Sequence, residues 1–237
     1  ALLHIHAAET TDEVEIVRRT RGMRPIALLD ELGLLGNRTV IAHGVHLERP
    51  EVDALATSGA SVVHCPASNL KLASGVAPVK QLLDAGVNVA LGTDGPASSN
   101  DLDMLGSVRL AALLHKTAAP GGPDATALSA RDVLRMATAN GAVALGLEGR
   151  LGVLAAGASA DMSAIDLRGV HTQPVHDVFS AIVYAAGRGD VTEVWSRGMR
   201  VVESGTHCII DESEVAGSLE MLGERVRQVM RGELSCS

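Results

Sequence analysis

Residues 39–66 read TVIAHGVHLERPEVDALATSGASVVHCP, and this stretch decides the fold class. Two apolar runs within it, Thr39–His43 and Ala60–Cys65, have the length and the β-branched content of buried strands. Between them, Arg49–Ser58 is predicted to be a helix, because proline follows its first residue and glycine follows its last. A helix that joins two strands in this way favours a parallel pair with a crossover connection.

The same alternation of strand and helix extends to both sides of this stretch. The predicted strands are Ala1–His6, Thr39–His43, Ala60–Cys65 and Asn88–Thr93. The predicted helical segments between them are Thr11–Leu32 (interrupted by Gly22 and restarted at Pro25), Arg49–Ser58 and Val76–Asp84. Four such units predict an α/β fold, which can be either a small doubly wound sheet or half of an eightfold barrel.

The rest of the chain is first helical and then changes character. Ser129 is a suitable N-cap for the second of two further predicted helices, Leu102–Lys116 and Ala130–Leu145. From Leu151 onward, glycine-broken runs such as DVTEVWSRGMRVVESG indicate short strands in a small β unit. Asp211–Arg231 has the pattern of an amphipathic helix.

Composition restricts the partners and the compartment. Of 237 residues, 46% are hydrophobic and only 1% aromatic, so a large core must be built from aliphatic side chains. A net charge of −8 without a basic run argues against a nucleic-acid partner. No apolar run approaches the roughly 20 residues of a membrane span. Three widely spaced cysteines, Cys65, Cys208 and Cys236, fit a reducing cytoplasm.

Titratable residues collect at the ends of three predicted strands. His6 closes the first strand and Glu9 follows it, His43 closes the second, and Asp94 follows the fourth. In parallel α/β folds the loops after the strands open on one face, so these side chains are expected to meet there. A carboxylate just past a strand end is well placed to carry a proton to and from water.

A histidine and a carboxylate with an open position describe a catalytic Zn²⁺ or Fe²⁺ site. His6 and Asp94 are the candidate ligands, although an Asp-Gly pair is also common in turns. His4 shares a strand face with His6, but we interpret it as a packed strand histidine. His46 is a weaker candidate because it lies past its strand. The remaining candidates are interpreted as structural: His64, Cys65 and His115.

The combined motifs resemble one branch of the amidohydrolase superfamily, which contains methylthioadenosine/S-adenosylhomocysteine deaminases, guanine deaminase and triazine hydrolases. The segments that carry the resemblance are HAAET, IAHGVHL, HCPASNLKLASGVAPV, VALGTDGPASSNDLDML and LRMATANGAVALGL. The resemblance implies strands 5 to 8 of a (β/α)₈ TIM-type barrel, then part of a small β-sandwich and a C-terminal helix. The implied domains are 1–150 for the barrel, 151–206 for the sandwich and 207–237 for the tail.

The resemblance also implies a role for each candidate residue. His6 is implied to be the zinc ligand from the fifth strand, and Glu9 the proton shuttle. His43 is implied to polarise the substrate or orient the water, and Asp94 to be a ligand and general base. Asn69 and Ser98 are implied to shape the substrate pocket, although both also suit turns.

The implied activity is metal-dependent hydrolytic deamination of an amino-purine nucleoside or base. A triazine-type chlorohydrolase or aminohydrolase and a non-catalytic fragment remain alternatives, and a nucleotide binder is disfavoured because no GxGxxG follows the first strand. The chain begins ALLHIHAAET, without the features of a signal peptide, and the family's first-strand His-x-His pair has no counterpart. We therefore expect only the C-terminal half of the family fold, inactive alone and dependent on the missing half or on a second copy.

Overall fold

The computed structural model describes residues 1–118 and 122–232. The chain divides into two compact units. The first comprises Ala1–Ser159 and Asp166–Asp190, and the second comprises Ala160–Ile165 and the chain from Val191 onward. Cys236, one of the cysteines used to predict the compartment, lies outside the described residues. The boundaries predicted for the three domains stay a prediction.

A four-stranded parallel sheet organises the first unit. Its strands follow sequence order: β1 (Leu3–Ala7), β2 (Thr39–His43), β3 (Ser61–His64) and β4 (Asn88–Leu91). The register sets Ala7 opposite His43 and His64 opposite Leu91, so the carboxyl ends of the strands lie at one edge. The predicted α/β class is confirmed, and each end of the four strands was predicted within two residues.

Helices connect consecutive strands of this sheet and also follow its last strand. The predicted helical segments contain α1 (Thr11–Arg21), α2 (Pro25–Glu31), α3 (Arg49–Ser58), α5 (Val79–Asp84), α7 (Met104–Thr117), α8 (Ala130–Ala137) and α9 (Ala139–Ala144). Two further helices lie in the loops after strands and were not predicted: α4 (Pro66–Lys71) after β3, and α6 (Pro96–Ser99) after β4. Both begin with proline, which suits a first helical turn.

The single helix predicted over Ala130–Leu145 is wrong, because the chain breaks at Thr138. This residue has φ −129° and ψ −91°, outside the helical region, so α8 ends before it and α9 starts after it. Gly152 approaches this break closely. A Cβ on Gly152 would lie 2.6 Å from the carbonyl oxygen of Thr138. The break therefore makes room for a backbone contact that helical periodicity does not predict.

The core of the first unit is aliphatic, as the composition predicts. Its fully buried side chains come from the central strands and from the helices over them, and include Ile26, Ile41, Leu55, Val62, Leu82, Val89, Val108 and Met136. All five residues of β2 are buried, which is expected of a strand covered on both faces. In β1, Ile5 packs against the core while His4 and His6 are exposed.

The segment 166–190 adds helical turns to the first unit, namely α10 (Val178–Ser180), a π-helical turn (Ala181–Ala185) and a 3₁₀ turn (Arg188–Asp190). The guanidinium of Arg109 on α7 donates to the carbonyl oxygens of Val183 and Ala186. These charge-assisted bonds hold the segment against α7.

The second unit is an antiparallel sheet with a long helix. The strands are β5 (Met162–Ile165), β6 (Val191–Ser196), β7 (Met199–Glu203) and β8 (Thr206–His207), in that order, and α11 spans Glu212–Met230. None of its described residues is buried. Over residues 1–118 and 122–232, no helix has the length and apolar character needed to cross a membrane.

Candidate active site

The strand ends of the parallel sheet position the predicted residues. His43 is the last residue of β2, Glu9 follows β1 by two residues, and Asp94 follows β4 by three. The backbone at this edge is strained, since Ala8, His43 and Asp94 have φ of 54°, 71° and 60°. A left-handed conformation costs a non-glycine residue about 1–2 kcal/mol. Such strain concentrates where a side chain must point in a particular direction for function.

His43 is the centre of the cluster. Its ring is 1% exposed and stacks on the His6 ring, with centroids 5.1 Å apart and planes 28° from parallel. On one side of the ring, Nδ1 lies 2.8 Å from Oδ1 of Asn69, and on the other, Nε2 lies 3.8 Å from a carboxylate oxygen of Glu9. An amide oxygen only accepts, so Nδ1 donates to Asn69, and Nε2 is the ring atom that faces Glu9.

Asn69 therefore contacts another residue of the cluster rather than forming a surface turn. It is 1% exposed, and its Nδ2 is a buried donor that has no hydrogen-bond partner among the described residues. An unsatisfied buried donor is costly, so it marks a position where a further acceptor is expected. The neighbouring Ser68 is also fully buried, and both belong to α4, which sequence reasoning did not predict.

Asp94 is held by several donors. The Ser68 hydroxyl donates to Oδ2 at 2.7 Å, and the backbone N–H of Gly95 donates to Oδ1 at 2.7 Å. Burial alone raises the pKa of the Asp94 carboxyl, but the bonds from Ser68, Gly95 and Ser98 and the charge of His43 together lower it below its usual value. The side chain is thus an anion at neutral pH. Ser98, predicted to shape the pocket, acts here as a donor to Asp94.

Glu9 stands between β1 and α1 and is half-buried, with 23% of its side chain exposed. Besides its approach to His43, its Oε1 accepts a bond from the Ser74 hydroxyl at 3.3 Å. The backbone N–H groups of Ala8 and Glu9 are both bound by the carboxylate of Glu13. Sequence reasoning missed Ser68, Ser74 and Glu13, and the one available signal was the Thr10-x-x-Glu13 spacing of a helix start.

The other histidines occupy different environments. The interpretation of His4 as a packed histidine is wrong: it is exposed and lies on the same strand face as His6. His46 lies outside the cluster, with Nε2 2.7 Å from the Ser74 carbonyl oxygen. His64 and His115 form a buried pair, Nε2 to Nε2 3.2 Å, and Nδ1 of His64 has no described partner. Burial raises the pKa of the Cys65 thiol to about 12, which fits an unreactive core cysteine.

The His64–His115 pair predicts a pH-dependent stability. Burial lowers the pKa of His64 to about 3 and that of His115 to about 4, whereas both titrate near 6.5 when unfolded. Below pH 6.5 the unfolded chain binds protons that the folded chain excludes, so the free energy of unfolding falls as pH drops from 6.5 toward 4. The expected loss is about 1 kcal/mol per pH unit for each histidine.

Urea midpoints measured between pH 8 and pH 4.5 check this expectation. His115→Gln should weaken the pH dependence by about half, while His176→Gln, at an exposed position, should leave it unchanged. Parallel pH dependences for the native chain and for His115→Gln would show that the buried pair is not responsible.

Ligand chemistry at the cluster fits zinc only in part. His6 and Asp94 supply the nitrogen and oxygen donors that Zn²⁺ accepts. Among residues 1–118 and 122–232, however, no group of three or more His, Cys, Asp or Glu side chains is arranged to hold a metal ion. Catalytic zinc sites use three protein ligands and an open position. The donor types are suitable, and the described residues do not complete the set.

Comparison with known proteins shows the family to which this chain belongs. The family model described as "Amidohydrolase family" matches residues 1–201. The chain belongs to the amidohydrolase family. This amidohydrolase chain is 48% identical over 213 residues to a 5-methylthioadenosine/S-adenosylhomocysteine deaminase of Haloarcula marismortui, covering 90% of the chain and 48% of that relative. The branch indicated by the sequence motifs is confirmed.

Solved amidohydrolase structures are also similar to this chain, and it again covers about half of each of them. An adenosine deaminase from Xanthomonas campestris with bound zinc has a TM-score of 0.92 and 44% identity, covering 96% of this chain and 51% of that one. An atrazine chlorohydrolase from Arthrobacter aurescens complexed with zinc has a TM-score of 0.86 and 35% identity, covering 93% and 48%. The chain spans about half the length of the relatives it matches.

Proposed function

We propose that this chain is the C-terminal half of a metal-dependent hydrolytic deaminase that acts on an amino-purine nucleoside or base. The observation that carries the proposal is the juxtaposition of Glu9 and His43, 3.8 Å apart at the ends of adjacent parallel strands. His6 stacks on the same ring, and Asp94 is close enough for the charge of His43 to act on its carboxyl. The names of the relatives support the substrate class.

In this proposal each side chain has a defined role, and Asp94 has two. His6 and Asp94 would be the two ligands that this chain supplies to a zinc ion, which, when bound, would bring the pKa of water to about 7. Asp94, kept anionic by its hydroxyl and N–H donors, accepts a proton from the attacking water. Glu9 takes the other proton of the water and gives it to the ring nitrogen, and the proton held by Asp94 then passes to the departing amine, so that ammonia leaves. His43 presents Nε2 toward the reacting centre, with its tautomer fixed by Asn69.

The proposed fold is strands 5 to 8 of a (β/α)₈ barrel, with β1 to β4 in those places and the second unit as part of a β-sandwich. The missing ligands and most substrate contacts then come from the other half of the barrel or from a partner copy. Asn69 and Ser98 line the pocket in this proposal, and the unpaired Nδ2 of Asn69 is the donor available to a substrate acceptor. A reducing cytoplasm suits the buried, unpaired Cys65.

Complementation tests the proposal. Alone, this chain should contain far less than stoichiometric zinc and release no ammonia from methylthioadenosine, S-adenosylhomocysteine or adenosine. Co-expression with the part of the Haloarcula deaminase that this chain does not match should restore both zinc binding and ammonia release. Stoichiometric zinc and turnover in the isolated chain would contradict the half-barrel proposal, and a zinc-loaded but inactive complex would contradict the deaminase.

A triazine hydrolase is the second candidate, favoured by the likeness to the atrazine chlorohydrolase. The same cluster would attack a ring carbon that bears chloride or an alkylamine. Chloride and amine release from chlorotriazines, measured on the same reconstituted complex, separates the two candidates. A complex that turns over neither the purine substrates nor the chlorotriazines would favour the third candidate, a non-catalytic fragment.

A further inference from the structure

The carboxylate of Glu13 binds two consecutive backbone amides of the loop that carries Glu9. Its Oε1 accepts from the N–H of Ala8 at 3.0 Å, and its Oε2 accepts from the N–H of Glu9 at 2.7 Å. Both distances are those of good hydrogen bonds, and the acceptor is charged, which makes such bonds about twice as strong as neutral ones. Glu13 itself is half-buried on the first turn of α1.

This arrangement differs from ordinary helix capping. In a capping box, the third helical residue returns its side chain to the N–H of the N-cap residue itself. Here Thr10 is the N-cap, and its hydroxyl accepts from the N–H of Glu13 at 3.1 Å. The Glu13 carboxylate reaches past Thr10 to the two residues before it. Its contacts are therefore with the loop between β1 and α1 rather than with the helix end.

The strained backbone of Ala8 explains how one carboxylate reaches both amides. Ala8 is fully buried with φ of 54°, a left-handed conformation that turns its N–H and the following N–H toward the same point. Successive amides in such a turn form a concave site for an anion. The negative charge of Glu13 stabilises this turn, and the turn sets the direction in which the Glu9 side chain projects from the backbone.

We propose that Glu13 is a positioning residue: it fixes the loop conformation that holds the Glu9 carboxylate against His43 and Ser74. The contact itself is a property of this chain. Its catalytic consequence rests on the proposed function, since only a reaction that uses Glu9 as a proton carrier is sensitive to where that carboxylate lies. Loss of Glu13 should therefore lower kcat more than it changes KM.

The first experiment is NMR on the 237-residue chain, comparing Glu13→Gln and Glu13→Ala with Glu15→Gln. Glu15 is a matched control, because it lies on the same helix and pairs with Arg18 through an exposed contact. Both Glu13 variants should exchange the amide protons of Ala8 and Glu9 at least about tenfold faster. They should also lose the nuclear Overhauser contact between the Glu9 side chain and the His43 ring. Retention of this contact in both variants would overturn the proposal.

The second experiment measures deamination in the reconstituted complex. A misplacement of about 1 Å at a reacting group can cost roughly 100-fold, so Glu13→Gln should lower kcat about 10- to 100-fold with KM within about twofold. Glu15→Gln should match the native complex. A native kcat in Glu13→Gln despite the lost contact would overturn the catalytic role. An inactive native complex would contradict the proposed function instead, and the NMR result would still decide whether Glu13 positions Glu9.

Discussion

Replacing Glu9 by glutamine should lower the deamination kcat of the reconstituted complex by about 100- to 10,000-fold, the range that general acid–base catalysis contributes. Glutamine keeps the volume of the side chain and an oxygen that can accept from Ser74. It cannot take a proton from water and return it to the leaving amine. Because 23% of the Glu9 side chain is exposed and glutamine has nearly the same volume, folding should be unaffected.

Turnover and urea stability measured on the same preparations check this expectation. Glu31→Gln, at an exposed position at the end of α2, is the matched control and should retain native kcat. A Glu9→Gln complex with more than about a tenth of native turnover would assign proton transfer elsewhere in the cluster. The remaining carboxylate, Asp94, would then be the candidate.

Gly152→Ala should be among the most destabilising single-methyl additions in the first unit. The new Cβ would lie 2.6 Å from the Thr138 carbonyl oxygen and 2.8 Å from the Ala139 Cα, and both are backbone atoms that cannot rotate away. The position also has φ of 73°. Left-handed strain of about 1–2 kcal/mol and overpacking of about 1–3 kcal/mol together predict a loss of about 2–5 kcal/mol.

Gly149→Ala separates the two causes of that loss. Gly149 has φ of 72°, nearly the same as Gly152, but a Cβ there would meet no atom within 4 Å. It should therefore show only the strain, about 1–2 kcal/mol. Urea unfolding of both variants measures the difference. Equal losses of unfolding free energy in the two variants would mean that the backbone near residue 152 shifts to accommodate the new methyl group at the α8–α9 break.

Much of the fold could be predicted because each strand of the parallel sheet has a recognisable pattern in its own local sequence. The run Thr39–His43 is apolar throughout, as a strand covered on both faces must be, and its polar last residue coincides with the strand end. Parallel strands bring their carboxyl ends to one edge whatever the details of packing. His43 and Glu9 were therefore predicted to meet without knowledge of any distance.

The remainder depends on loops and on contacts distant in sequence. Nothing in the local pattern at Ser68 predicts a bond to Asp94, which is 26 residues away. The break at Thr138 depends on the close approach of Gly152, and a helical period carries no information on that contact. His4 was misjudged because an apolar strand predicts burial, whereas the face of β1 that carries His4 and His6 is exposed.

The left-handed conformations of Ala8, His43 and Asp94 have a consequence for protein engineering. Glycine adopts these angles without steric cost, so backbone energy alone favours glycine at all three positions. A selection for thermal tolerance without an activity screen would tend to replace His43 and Asp94, whose side chains the proposed chemistry needs. At these two positions stability and activity therefore compete, and stabilising substitutions should be sought elsewhere.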